Sequence, residues 1–116
     1  RVNGKYFKEQ LMILQEKYEW IGDVRGEGLA IGVELVEDRM TKAPASEKTA
    51  AFCYRCYELG LLVFYVGIHS NVIEITPPMT ITKKEIDSAI NIMDQAFTEL
   101  QDNKINMDRV KEYAGW

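Results

Sequence analysis

Two cysteines three positions apart are the first residues of this sequence whose type and spacing could carry chemistry. Cys53 and Cys56 form a C-x-x-C pair, the pattern found in zinc sites and in thiol–disulfide exchange. A zinc ion needs two more ligands, and the sequence offers a single histidine and no third cysteine. On a helix the two thiols lie on one side, where free cysteines usually pack as small apolar side chains. We therefore expect a packing role, with a thiol redox site as the alternative.

The other candidate groups give no support for nucleotide, acyl-transfer or Schiff-base chemistry. Gly26-Glu27-Gly28 does not join a strand to a following helix, as a dinucleotide-binding turn must. His69 has no nucleophile elbow or triad partners around it, so it is expected to be a solvated loop residue. None of the nine lysines lies in an apolar stretch of the kind that activates a Schiff-base amine. The residues alone therefore indicate no catalytic group and no metal site.

A carboxylate in the middle of an apolar strand is the remaining candidate. In Val72-Ile73-Glu74-Ile75-Thr76, Ile73 and Ile75 take one face of the strand, so Glu74 points from the other face. A mid-strand carboxylate usually faces water. The alternative is that this face meets a ligand or another domain, and the residues alone leave both interpretations open.

Helical and strand periodicities predict the elements that would position these residues, in the order helix, strand, strand, helix, strand, strand, helix. A first helix near residues 4–20 is predicted from apolar side chains at helical spacing: Phe7, Leu11, Leu14 and Tyr18. Two strands follow it. The first starts at Ile21 and ends in a glycine-rich turn near residues 26–28, and the second covers residues 29–36 with alternating apolar side chains.

The middle helix has both of its ends marked. After a polar connection over residues 37–45, Ser46 is expected to cap the helix by accepting an amide hydrogen bond. Gly60 is expected to end it, since a residue without Cβ adopts the left-handed conformation at little cost.

Two further strands and a strongly marked helix complete the pattern. The strands cover residues 61–66 and 72–76, and Pro77-Pro78 ends the second because proline cannot donate to a strand ladder. The last helix begins with a capping box formed by Thr82 and Glu85.

These elements predict an α+β fold: a two-layer sandwich in which three or four mostly antiparallel strands carry helices on one face. A chain of 116 residues, 47% of them hydrophobic, is long enough for one domain with its own core. Residues 1–103 are expected to form this domain. Residues 104–116 are expected to be a tail with one or two helical turns, whose Tyr113 and Trp116 pack on a neighbouring surface.

Charge and composition argue against several classes of partner. A net charge of -4 with scattered lysines gives no basic surface for nucleic acid, and the longest apolar run, near residues 59–68, is too short to cross a membrane. Two cysteines suit a reducing compartment, so we expect a cytoplasmic protein. The sequence begins without a methionine or an apolar leader, which predicts a piece of a longer protein.

Several ordered motifs of this sequence resemble those of a known enzyme family. They are DVRGEGLAIGVEL at residues 23–35, a loop with Asp38 and TKAPA at residues 41–45, GLL at residues 60–62, and NVIEITPPMTIT at residues 71–82 followed by Glu85-Ile86. Together they look like the C-terminal domain of class III aminotransferases, which depend on pyridoxal phosphate (PLP). This is the group of 4-aminobutyrate, ornithine and acetylornithine aminotransferases. The resemblance covers residues 7–100, and the tail falls outside it.

The resemblance implies a parent enzyme that passes an amino group from an amino donor to a 2-oxo acid through PLP. In such enzymes the large domain of the same chain carries the Schiff-base lysine and the phosphate contacts. This piece is therefore expected to bind no cofactor and to be inactive alone. Its role would be to close over a small amino-acid or 2-oxo-acid substrate. Members are generally homodimers, and a dimer is expected here.

One position departs from the family pattern in a way that bears on the substrate. Many members have an arginine at the position of Glu74, where its planar guanidinium binds a substrate carboxylate. Glutamate would repel that group and could instead hold an ammonium or pair with an arginine from elsewhere. We therefore predict that Glu74 is a substrate-binding residue. Some relatives with this architecture are amino-acid racemases or decarboxylases, so a racemase parent is an alternative.

The other motif residues are expected to be structural. Arg25 would tie its turn by ion pairs or backbone hydrogen bonds, while Gly26 and Gly28 would permit the tight geometry. Pro77 and Pro78 would end the strand. A free-standing α+β ligand-binding module is the last alternative, and it should hide its apolar faces. A detached domain should instead expose the patch that its partner covers.

Overall fold

A computed structural model describes residues 2–27, 30–61, 63–67, 71–78 and 80–114. Within them the chain has the predicted α+β fold, an open antiparallel sheet of five strands with helices packed on it. In chain order the elements are α1 (Val2–Lys17), β1 (Ile21–Glu27), β2 (Ala30–Asp38), β3 (Ala43–Pro44), α2 (Ser46–Glu58), β4 (Phe64–Val66), β5 (Val72–Ile75), α3 (Lys83–Gln101) and α4 (Met107–Ala114).

The sheet has the strand order β1-β2-β5-β4, and every neighbouring pair runs antiparallel. β2 and β5 lie side by side although α2 and β4 separate them in the sequence. Ile31 of β2 lies opposite Ile75 of β5, and Val33 lies opposite Ile73. All four side chains are buried on one face of the sheet. The short β3 pairs with the end of β2.

The helices form the hydrophobic core with this face of the sheet. α1 contributes Phe7 and Leu11, both almost completely buried. Phe52 of α2 stacks on Phe97 of α3, with ring centroids 4.1 Å apart. Burying one side chain of this size stabilises a fold by roughly 1.5–3 kcal/mol. These contacts fix the helix layer against the sheet.

The segment after residue 103 adds a helix to this layer. α4 has eight residues, which corresponds to the one or two helical turns predicted for the tail. It packs on α2 through a second, smaller cluster of buried side chains: Ala50, Ala51, Tyr54, Ile105 and Val110.

Two of the predicted helix boundaries are confirmed by their hydrogen bonds. At the start of α3, the N–H of Glu85 donates to Oγ1 of Thr82 at 3.1 Å, and the N–H of Thr82 donates to Oε1 of Glu85 at 2.9 Å. After α2, Gly60 has a φ of +97°. Its N–H and that of the next residue donate to carbonyl groups of the last helical turn. This pair of hydrogen bonds is a Schellman motif.

The predicted start of α2 is wrong by one residue. Ser46 is the first helical residue, and Ala45, which makes no side-chain cap hydrogen bond, takes the N-cap position. Ala45 is fully buried, and its N–H donates to the carbonyl of Leu35 in β2. Its own carbonyl accepts from the N–H and the hydroxyl of Thr49. Attachment to β2 therefore fixes the start of the helix in place of a serine cap.

The connection between β2 and α2 is more ordered than the polar sequence predicts. β2 continues to Asp38, and Ala43–Pro44 returns alongside it. The alternation of buried and exposed residues stops at Val36, which is buried like its neighbour in β2. Gly22 permits this, because a Cβ at Gly22 would lie 2.9 Å from the methyl carbons of Val36. The strand predicted for residues 61–66 is likewise shorter, at Phe64–Val66.

Some residues with sequence-based predictions lie outside the described part of the chain: Gly28, His69, Trp116 and the side chain of Tyr113. Their predicted roles stay predictions. Among the helices that are described, none is long and apolar enough to cross a membrane.

Candidate functional site

The sheet face away from the helices, which we call the open face, carries the charged and the exposed apolar side chains of the strands. Strand pairing aligns one residue each from β1, β2, β5 and β4 across it: Arg25, Gly32, Glu74 and Phe64. The next row contains Asp23, Glu34, Val72 and Val66. Phe64 and Val66 are 60% and 41% exposed. Neighbouring exposed apolar side chains bordered by charged groups make this face a candidate surface for a ligand or a partner.

Two carboxylates of the open face engage Arg25. Its Nη1 donates to Oδ2 of Asp23 at 3.1 Å and to Oε1 of Glu34 at 3.2 Å. The hydrogen bond to Asp23, and then that to Glu34, raise the pKa of Arg25. The side chains of Arg25 and Asp23 are about half exposed, so these ion pairs add little stability. They do offset the positive charge that Arg25 brings to this face.

The turn beside Arg25 depends on Gly26. Its φ is +134°, which side chains rarely adopt. A Cβ at this position would lie 2.0 Å from the carbonyl oxygen of Ala30 in β2. Conformation and space therefore both require glycine here. At the other end of the site, Pro77 and Pro78 follow the end of β5 and lead towards α3.

Glu74 extends from β5 near the middle of the open face. Its cross-strand neighbours are Gly32 of β2, which has no side chain, and Phe64 of β4. The residue is exposed. Within the described part of the chain its carboxylate forms no hydrogen bond or ion pair. Glu74 therefore brings to this face a negative charge that no described side chain pairs with, and Arg25 is already held by two other carboxylates.

Two cavities meet at Glu74. The larger, of about 310 Å³, lies between the end of the sheet and the helices, with apolar walls that include Phe7 and Met93. The smaller, of about 150 Å³, is a depression over Gly32. Among the described residues, Glu74 is the one charged side chain that lines either cavity, and Thr76 adds a hydroxyl to both. The larger cavity has the volume of a small-ligand pocket and suits an apolar group with a neutral or cationic end.

These cavities do not form a PLP site by themselves. PLP needs an amine for its Schiff base and a set of donors for its phosphate. Within the described residues, no lysine or arginine lines either cavity. Any PLP that acts together with this chain must therefore be held by groups outside the two cavities.

The two cysteines lie in the core and not at this site. Cys53 and Cys56 are free thiols, fully buried in α2. Burial raises the pKa of Cys53 to about 12. Burial, and then the neighbouring Cys53, raise the pKa of Cys56 as well. Such thiols are poor nucleophiles at neutral pH, which matches the predicted packing role. Among the described residues, no group of three His, Cys, Asp or Glu side chains could hold a metal ion.

The sequence indicated only part of this site. Alternation in β5 puts Glu74 on the face opposite Ile73 and Ile75, and the structure confirms that placement. The alignment of Glu74 with Gly32 depends on the pairing of β2 with β5, which no local pattern reveals. The outward direction of Phe64 could not have been found, because residues 61–66 are all apolar and show no alternation.

The chain is similar to known proteins over most of its length. Residues 1–97 match the family model described as aminotransferase class-III. The chain is 39% identical to the leucine/methionine racemase of Thermococcus litoralis over 113 residues, 97% of this chain and 25% of that protein. It is 45% identical to the mitochondrial alanine–glyoxylate aminotransferase 2 homolog 2 of Arabidopsis thaliana over 97 residues, 84% of this chain and 20% of that protein.

A solved structure has the same fold over most of this chain. An amine transaminase from an uncultivated Pseudomonas species, in its PLP-bound form, matches with a TM-score of 0.77 and 32% identity. The match covers 84% of this chain and 22% of that chain. This chain thus spans about a fifth to a quarter of the length of the relatives it matches.

Proposed function

This chain belongs to the class III aminotransferase family, and we propose that it is the C-terminal small domain of a PLP-dependent enzyme. In that enzyme an amino group passes from an amino donor to a 2-oxo acid, as in members of the 4-aminobutyrate aminotransferase type. The observation that carries the proposal is the open face. Helices cover one side of the sheet, while Phe64 and Val66 stay exposed beside Glu74 on the other. A surface of this kind suits a domain that covers a site completed by another part of its protein.

The residues of this chain position and enclose the substrate in the proposed enzyme. PLP, when bound, supplies the electron sink for the reaction. Because no lysine or arginine lines the two cavities among the described residues, we assign the Schiff-base lysine and phosphate contacts to a large domain of the parent chain. The open face then closes over the substrate and excludes water. The chain on its own is expected to be inactive, and the parent is expected to be a cytoplasmic homodimer.

A racemase parent is the second candidate, and one observation favours it. The similarity to the leucine/methionine racemase covers 97% of this chain, whereas the family model stops at residue 97. The similarity therefore extends into the segment that forms α4. A free-standing binding module is a third candidate, and it requires that the full-length polypeptide shows no PLP-dependent activity.

The test compares the full-length polypeptide with this 116-residue chain after incubation with PLP. Amino donors such as 4-aminobutyrate, L-ornithine and L-leucine are added with and without a 2-oxo acid. We expect the absorbance band of bound PLP in the full-length protein alone, and repeated turnover of the amino donor only when the 2-oxo acid is present. Formation of the D-enantiomer without any 2-oxo acid would identify a racemase. A full-length protein that binds no PLP would overturn the proposal and favour the binding module.

A further inference from the structure

A further cavity, which the proposed function does not use, lies along the start of α3. It is an open groove of about 340 Å³, and we call it the outer groove. Its walls include Leu61 and Ala89, and both residues also line the larger cavity beside Glu74, which we call the inner cavity. The two spaces therefore meet at these side chains and form one channel. Ala89 leaves the passage open, because its side chain is a single methyl group.

The inner cavity is the apolar part of this channel. Its walls include Phe7 and Met93, both almost completely buried, and the rings of Pro77 and Pro78. Cavities with apolar walls take up apolar molecules readily, and an engineered cavity of roughly 150 Å³ is enough to bind benzene. The inner cavity therefore suits a hydrocarbon group.

The outer groove brings a cation to the other end of the channel. Lys84 lines it, and within the described part of the chain its ammonium forms no hydrogen bond or ion pair. The neighbouring Glu85 is turned back onto Thr82, whose N–H and hydroxyl donate to Oε1 at 2.9 and 3.1 Å. These bonds lower the pKa of Glu85 and offset its charge. An anionic group in the outer groove would therefore find its partner in Lys84.

The distance between the two ends limits the length of an occupant. Lys84 and Met93 lie on the same helix, and the rise from position 84 to position 93 is about 13 Å. An extended alkyl chain of about ten carbons has this length at ordinary bond lengths. A carboxylate is attracted by Lys84 and repelled by Glu74, which lines the inner cavity, so its head group lies in the outer groove.

We propose that this channel binds a straight-chain carboxylate of about eight to ten carbons, with the alkyl chain in the inner cavity and the carboxylate at Lys84. An alkyl chain fits the inner cavity better than a polypeptide segment. A segment would bring N–H and C=O groups, and the described walls offer them only the side chains of Glu74 and Thr76. The site goes beyond the proposed function and does not depend on it, because binding here requires neither PLP nor an amino donor.

Isothermal titration calorimetry of the full-length polypeptide tests the proposal with hexanoate, octanoate and decanoate. Each further buried methylene should tighten binding by up to about fourfold. Octylamine has the same chain length as octanoate and the opposite charge. Octanoate should bind roughly threefold to fivefold more tightly than octylamine, which is the usual effect of an exposed ion pair. The 116-residue chain is titrated in parallel.

Two variants separate the contribution of the head group from that of the alkyl chain. Lys84→Gln should remove the preference for octanoate over octylamine. Lys83→Gln, which changes a neighbouring lysine that lines neither cavity, is the matched control and should keep that preference. Ala89→Leu should fill the passage and weaken the binding of decanoate by roughly tenfold or more. Should Ala89→Leu fail to fold by circular dichroism, the chain-length series and Lys84→Gln decide.

Equal affinities across the chain-length series would overturn the proposal, and so would an unchanged head-group preference in Lys84→Gln. Binding by the 116-residue chain but not by the full-length polypeptide would also overturn it, because a segment of the parent would then fill the channel. A full-length polypeptide that binds no PLP yet binds decanoate would overturn the proposed function alone and support this site.

Discussion

Replacing Gly26 by alanine should destabilise this chain much more than the same replacement at Gly60. Both glycines have positive φ, +134° and +97°, which an alanine adopts only with strain. They differ in their surroundings. A Cβ at Gly26 would lie 2.0 Å from the carbonyl oxygen of Ala30 and 2.9 Å from Cα of Ile31, whereas a Cβ at Gly60 would meet nothing within 4 Å.

The expected difference follows from what must move. At Gly60 the alanine costs conformational strain alone, about 1 kcal/mol. At Gly26 the obstructing atoms belong to the backbone of β2, which is paired with β1 in register, so no side-chain rotation can relieve the contact. The end of the β1–β2 pairing must open. Strain and lost pairing together should cost roughly 3 kcal/mol or more.

Urea unfolding followed by circular dichroism measures both effects on the same chain. A difference of about 2 kcal/mol between the variants corresponds to a midpoint roughly 1 M lower for Gly26→Ala, with a urea slope in the usual range. Gly60→Ala serves as the matched control for conformational strain. Equal midpoints for the two variants would refute the reasoning, because they would mean that the close contact with Ala30 and Ile31 contributes nothing.

Two further predictions concern acid stability and thiol reactivity. Hydrogen bonds from Arg55 lower the pKa of Glu99, so this pair stabilises the fold above the ordinary glutamate pKa of about 4.3, and the stabilisation is lost as the pH falls through the lowered value. Glu99→Gln should reduce the fall of the thermal midpoint at acid pH, whereas the control Glu9→Gln should leave that fall unchanged. An equal fall in the wild type and in Glu99→Gln would contradict this stabilising role of the pair. Because burial raises the pKa of Cys53 to about 12, neither Cys53 nor Cys56 should be alkylated by iodoacetamide in the folded chain at neutral pH, and both should react in urea. Rapid alkylation of the folded chain would restore the redox alternative.

Features with a local cause were predictable from the sequence. The capping box of Thr82 and Glu85 joins residues three positions apart, and Gly60 ends α2 through bonds within one helical turn. The alternation of Ile73, Glu74 and Ile75 needs only the geometry of a strand. In each case the interacting groups are close in the chain, so spacing alone fixes the structure.

Features with a distant cause were not predictable. Ser46 has the right residue type for an N-cap, yet the bond between Ala45 and Leu35 of β2 sets the start of α2. Val36 is buried although it breaks the alternation, because Gly22 on the neighbouring strand leaves it room. A local preference of about 1 kcal/mol at a helix cap is easily outweighed by burial and pairing with a neighbouring strand.

The candidate site likewise combines features with a local cause and features with a distant cause. The sequence by itself determined that Glu74 leaves the buried face of its strand, and its motifs identified the family. Only the tertiary structure decided what surrounds that carboxylate: the bare Gly32, the exposed Phe64 and the two cavities. It also decided that Arg25 is already engaged by Asp23 and Glu34. The physical reason is that strand order and register come from long-range pairing, while side-chain direction comes from the two-residue repeat of a single strand.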